Sequence, residues 1–183
     1  MGKKLAKKTK QDWFNIAYEC LIESGVEAIA AEKLASKLGV SRGSFYHHFG
    51  SKQGFHRALL EDWFEKNTLR INQLNHGKPI EDKITSLTNF AWALPHKIEV
   101  AIRAWALYDE LAKEYQIKTD QIRINYLTEL FAEKYSSEKA GEAAKVLFYS
   151  FVGLQNRQPM PSKYEFNQFQ TVISRVVQSY LDF

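Results

Sequence analysis

The chain has 183 residues, 45% hydrophobic and 25% charged, with 25 Lys and Arg against 21 Asp and Glu and a formal net charge of +4. That length supports a substantial core, as a small head with a larger body or as one continuous helical body. A single cysteine, Cys20, excludes an intrachain disulfide and a cysteine-based zinc site, and it fits a reducing cytoplasm, the expected location. No secretory signal is evident and no apolar run approaches the ~20 residues that span a bilayer, so no membrane partner is expected. Charge is unevenly placed: residues 1–57 hold ten Lys or Arg against five Asp or Glu, whereas residues 58–183 hold 15 against 16. The basic surface is N-terminal.

Lys3, Lys4, Lys7, Lys8 and Lys10 precede the first helix. They suit a flexible arm along a phosphate backbone, or equally a solubilising tail. Thr9 with Asp12 reads as a helix start, and that helix runs to about Ser24 before Gly25. Within it Cys20 shares an apolar stripe with Trp13, Ile16, Ala17 and Leu21, which assigns it to core packing.

Residues 31–56 carry two short amphipathic helices around a Gly39-Val40-Ser41 turn. Ala31, Leu34, Ala35 and Leu38 form one stripe of a 3.6-residue period, while Glu32, Lys33, Ser36 and Lys37 look outward. Gly39 accepts a left-handed backbone without steric cost, Val40 tucks under the turn, and Ser41 is expected to cap the next helix. At 100° per residue from Arg42, Phe45 and Phe49 fall on one side. Gly43, Ser44 and His47 lie opposite, with Tyr46 and His48 on the flanks. The phenylalanines anchor the helix, and the other face is free to read base edges and phosphates in a major groove. Arg42, at the helix tip, is the expected base reader. Ser51 and Lys52 open a further helix, whose free N–H groups suit a phosphate; the alternative is a solvated surface lysine.

The run Tyr46, Phe49, Lys52, following a helix-turn-helix some thirty residues into the chain, resembles the TetR family of transcriptional regulators over roughly residues 10–60. The resemblance implies DNA contacts by Arg42, Gly43, Ser44, Tyr46, His47 and Lys52. It also implies a homodimer on double-stranded palindromic operator DNA and a small-molecule effector bound in the helical body. Two positions depart from the family pattern. Ala30 and Ala31 stand where Thr or Ser usually caps the helix and touches phosphate, so that contact is expected to be missing. Gly54 replaces a common Glu at a cost of ~1 kcal/mol in a helix interior, which predicts a looser clamp.

Sparse Pro and Gly punctuate the rest, giving an all-α chain of about nine helices with no strand: an N-terminal three-helix helix-turn-helix DNA-binding domain and a C-terminal helical ligand-binding and dimerisation domain. The fourth helix is expected from Lys52 to about Asn75, and Asn75-His76-Gly77-Lys78-Pro79 marks the head-to-body boundary. The domains are taken as 1–57 and 58–183. Helices are then expected at 80–94, from 97 to about 110 after Pro95, and from about 117 to 135. In the stretch from 97, Glu99, Arg103 and Glu110 form a narrow polar edge, and Asp109 is either a helix end or a polar group aimed into a pocket.

Phe90, Trp92, Trp105, Tyr108, Tyr126 and Phe148, with Asp109, are the candidate effector-binding residues; aromatics at this spacing equally serve as core. Residues 139–154 are apolar nearly all round. The last helix opens at a Ser162–Glu165 capping box and repeats Phe166, Phe169, Val172, Ile173, Val176, Val177 and Tyr180 down one side. These helices, 8 and 9, are the expected dimer interface. No Gly-rich phosphate loop, acidic metal cluster or nucleophile constellation is present, so neither catalytic residues, metal ligands nor cofactors are assigned. The leading expectation is a dimeric, sequence-specific regulator, a repressor under effector control. The alternatives are a non-specific nucleic-acid or scaffold protein on the same fold, and a helical enzyme.

Overall fold

The computed structural model describes residues 8–69 and 80–183. Among them are nine α-helices and no strand: α1 (Lys10–Ser24), α2 (Ala31–Leu38), α3 (Arg42–Phe49), α4 (Lys52–Asn67), α5 (Ile80–Ala93), α6 (His96–Trp105), α7 (Glu110–Ala132), α8 (Ser137–Gln155) and α9 (Lys163–Asp182), with one 3-10 turn at Val26–Ala28. Lys3, Lys4, Lys7, the Asn75–Pro79 boundary and the last part of the expected fourth helix lie outside the described residues.

Local chemistry sets most of these ends. Thr9 and Asp12 form a reciprocal capping box at α1, and Ser162 and Glu165 do the same at α9. Gly39 ends α2 at φ 67°, ψ 34°, with its N–H bonded to Ser36 O and that of Val40 to Ala35 O. That pair of bonds is a Schellman motif, which satisfies two otherwise orphan carbonyls.

One expected helix is shorter and the next is longer. The stretch from 97 to about 110 ends at Trp105, because Leu107 and Tyr108 turn back with N–H bonds to Ala104 O and Trp105 O. Asp109 then accepts from the Ala112 N–H at 2.9 Å and starts α7, which begins earlier than the expected 117. Glu99 is also corrected. It lies 3% exposed rather than on a polar edge, and its Oε1 accepts from the Trp63 indole N–H at 2.9 Å.

The chain divides into two compact units. The first takes the residues up to Trp63 together with Lys97–Tyr115, and the second takes Phe64–His96 and Gln116–Phe183. In the first, Trp13, Phe45, Phe55, Leu59, Leu60, Trp63 and Ile102 are fully buried. Tyr18 fixes α1 on α4, its hydroxyl lying 3.0 Å from Leu59 O and 2.9 Å from Asp62 Oδ2. Burial and the neighbouring Asp62 carboxylate push that phenol above its ordinary range. Cys20 is buried among core residues. In the second unit α5, α7, α8 and α9 contribute apolar clusters centred on Phe151 and Phe166, on Leu127 and Phe148, and on Val177 and Leu181.

Candidate nucleic-acid interface

The outward face of α3 exists because its inner face is locked. Phe45 is fully buried, with its ring 5.5 Å from that of Trp13 at 74° and 5.0 Å from that of Phe55. Phe49 packs 5.8 Å from Phe14 and 4.8 Å from Phe55. Edge-to-face and tilted arrangements at such separations are favourable beyond the area they bury, so α3 is wedged from behind by aromatic rings of α1 and α4.

On the other side Arg42, Gly43, Tyr46 and His47 are exposed, and Ser44 is half-buried. Arg42 and Tyr46 form a pair that single-residue reading of the helical wheel missed, although their i,i+4 spacing signals it. The Arg42 Nη2 donates to Tyr46 Oη at 3.1 Å, and the guanidinium lies 5.4 Å from the ring centroid. The arginine is thereby held along the outer face instead of trailing into solvent. Ser41 occupies the N-cap position but makes no side-chain cap bond, contrary to expectation. Its own carbonyl already takes the Ser44 N–H at 3.0 Å. Ala30, at the start of α2, likewise offers no side-chain cap.

The start of α4 is more closely built than its sequence suggests. Gly50 sits at φ 72°, ψ −44°, and the Ser51 N–H bonds to Phe49 O at 2.8 Å, a γ-turn that requires positive φ at its centre. Ser51 Oγ accepts from the Gly54 N–H at 2.9 Å, and Lys52 is exposed at the first position of α4. Gly54 is closely packed, since a Cβ there would meet Phe49 O at 2.3 Å. The absence of a side chain is what lets the turn close on the helix.

The remaining candidates are dispersed. Trp105 is 4% exposed in the first unit, edge-on to His56 at 4.8 Å, Tyr108 is 92% exposed, and Asp109 caps α7. Trp92 packs against His96 and Phe166, and Tyr126 is half-buried on α7. Phe148, with Phe90, lines a cavity of about 140 Å³ in the second unit, whereas Trp92, Trp105, Tyr108, Asp109 and Tyr126 do not line it. The lining positions that sequence reading missed are aliphatic, such as Leu87, Leu127 and Leu130, together with Arg123. His47 and His48 have ring centroids 5.7 Å apart. Among the described residues no group of three His, Cys, Asp or Glu is placed to hold a metal ion, and no helix is long and apolar enough to cross a membrane.

Comparison with known proteins places the same segment in a family. Residues 15–59 match the model of bacterial regulatory proteins of the tetR family. The chain is similar to the HTH-type transcriptional regulators YdeS and YvkB of Bacillus subtilis, 26% identical over 126 residues and 24% over 127. The matched stretch covers 67% of this chain and 62% of YdeS, and 66% of this chain and 67% of YvkB. Among solved structures, a transcriptional regulator from Rhodococcus sp. Rha1 superposes with a TM-score of 0.76 at 19% identity, covering 94% of this chain and 97% of that one. Reduced NemR of E. coli gives 0.72 at 19%, covering 92% and 96%. These structural likenesses concern the fold.

Proposed function

We propose that this chain, whose residues 15–59 match the model of bacterial regulatory proteins of the tetR family, is a dimeric, sequence-specific DNA-binding transcriptional regulator of that family, a repressor whose grip on its operator is set by a small molecule. The observation that carries the reading is α3 itself: Arg42, Gly43, Tyr46 and His47 stand exposed on a helix whose opposite side is anchored by the fully buried Phe45. In this reading α3 enters the major groove. Arg42 reads a base, Tyr46 and His47 contact base edges or phosphates, Gly43 permits close backbone approach, and Ser44 completes the contact. Lys52 and the free N–H groups opening α4 clamp a phosphate and set register without reading sequence.

Dimerisation is assigned to α8 and α9. Val146 and Tyr149 on α8 and Val172, Val176 and Tyr180 on α9 are 42–59% exposed, an apolar surface that a two-fold mate would cover. Space around Gly153 on α8 is open, which suits close approach of a second helix. Two heads about one helical turn apart, ~34 Å, then meet successive half-sites of a palindrome. An effector that favours a dimer with different head spacing lowers operator affinity by its differential affinity for the two forms.

Selection from random duplexes tests the proposal. Recovery of a two-fold motif supports it; equal binding to every duplex favours a non-specific nucleic-acid-binding protein instead. On the recovered site, Arg42→Ala is expected to relax one base position and cost ~1–3 kcal/mol, while Lys52→Ala weakens all sequences alike and reduces the salt slope by about 1. Unchanged binding by both variants would remove the assignment.

A further inference from the structure

We propose that Tyr46 is a positioning residue for base reading: its ring and hydroxyl aim the Arg42 guanidinium, so discrimination at the base pair that Arg42 reads depends on a neighbour acting through the arginine. The inference rests on Arg42 being the base reader and adds what holds it in the reading pose.

A chain of ring contacts runs from the core to the outer face of α3. Trp13 is fully buried, with its ring 5.5 Å from that of Phe45. Phe45 in turn meets the Tyr46 ring at 5.3 Å and 79°, an edge-to-face arrangement that restricts how the tyrosine can turn. Tyr46 lies one turn beyond Arg42, and long side chains on a helix lean towards its N-terminus, which brings the phenol to the arginine. The hold is double: Arg42 Nη2 donates to Tyr46 Oη at 3.1 Å, and the guanidinium lies 5.4 Å from the ring centroid. Both residues are exposed, so the pair faces outward.

The tether acts on discrimination more than on affinity. A free arginine beside a mismatched base pair can swing to a phosphate and recover part of the lost contact, whereas a tethered one cannot. One N–H of the guanidinium is used on Tyr46, and those that remain suffice for a bidentate contact to guanine O6 and N7. Tyr46 Oη accepts in this pair, so its own proton is available to a phosphate oxygen, and a hydroxyl polarised by a cation donates more strongly.

Binding to the operator recovered by selection, and to the same duplex changed at the base pair that Arg42→Ala relaxes, gives a discrimination ratio for each variant of the full chain. Tyr46→Phe removes the hydroxyl but keeps the ring against Phe45, and it is expected to lower that ratio about three- to tenfold. In an Arg42→Ala background the same substitution should leave the ratio within about twofold, as a residue acting through another requires. An unaltered ratio in Tyr46→Phe, an affinity loss shared equally by both duplexes, or an equal fall of the ratio in the Arg42→Ala background would each overturn the proposal. The second of these outcomes would make Tyr46 a phosphate contact only, and the third would make it a base reader in its own right. If Arg42→Ala relaxes no position, the reading of α3 itself fails and the positioning role falls with it, an outcome distinguishable from failure of Tyr46→Phe alone.

Discussion

Gly54 stands at the third position of α4, where glycine ordinarily costs a helix about 1 kcal/mol relative to alanine. Here the sign reverses, since an added Cβ would lie 2.3 Å from Phe49 O and 3.3 Å from Ser51 Oγ. Gly54→Ala is therefore expected to lower the thermal midpoint; a raised midpoint would show that the turn yields at no cost. His56 supplies a second test at this scale. It is 7% exposed against Trp105, and burial first, then the Lys52 charge, hold its pKa below the ordinary 6.5, with Asp109 and Glu27 opposing. The folded state thus favours neutral imidazole, while the unfolded chain takes up a proton near 6.5. Stability from this group is complete above that pH and is lost as pH falls through 6.5 towards the lower folded value. Thermal midpoints at pH 7.5 and 5.5 should differ more for the unsubstituted chain than for His56→Gln. Equal differences would mean that another group carries the dependence.

Among elements, the junction between α6 and α7 shows how one side chain redirects a helical pattern. The apolar spacing of Ile102, Trp105 and Tyr108 continues past the real end of α6, because periodicity does not register where hydrogen bonding changes. Asp109 supplies the missing information: its carboxylate takes the Ala112 N–H and fixes a new start. Removing a cap of this kind costs about 1 kcal/mol. Asp109→Ala is expected to lower the unfolding free energy from urea titration by that much, and Asp109→Asn, which keeps an acceptor oxygen, to spare most of it. If both variants lost effector response with unchanged stability, Asp109 would belong to a ligand site rather than to a helix start. α3 illustrates the complementary case. Its eight residues hold little helix by themselves, and the ring contacts of Phe45 and Phe49 stabilise it.

For the whole molecule, the proposed dimer concentrates on the exposed apolar residues of α8 and α9. Light scattering at micromolar concentration should give twice the chain mass, and Val172→Glu with Val176→Glu should give the single-chain mass. Burying two carboxylates against their two-fold mates costs far more than the apolar contact returns. Operator binding by the double variant should weaken together with its mass, since one head alone contacts only a half-site. A single-chain mass for the unsubstituted protein would contradict the interface.

The helices, the left-handed Gly39 turn and the two capping boxes were legible in the residues, because each depends on neighbours three or four positions away. The same holds for the exposed edge of α3, which follows from the spacing of Phe45 and Phe49. Packing decided the rest. Lys97–Tyr115 joins the unit built from the described residues up to Trp63, Glu99 is buried under Trp63, and Trp105 lies on His56 instead of beside Phe148. No local pattern announces these pairings. Hydrophobic burial is non-directional, so a stripe states that a helix face must be covered but not by what, and only the folded chain brings Arg123 into the wall of a cavity.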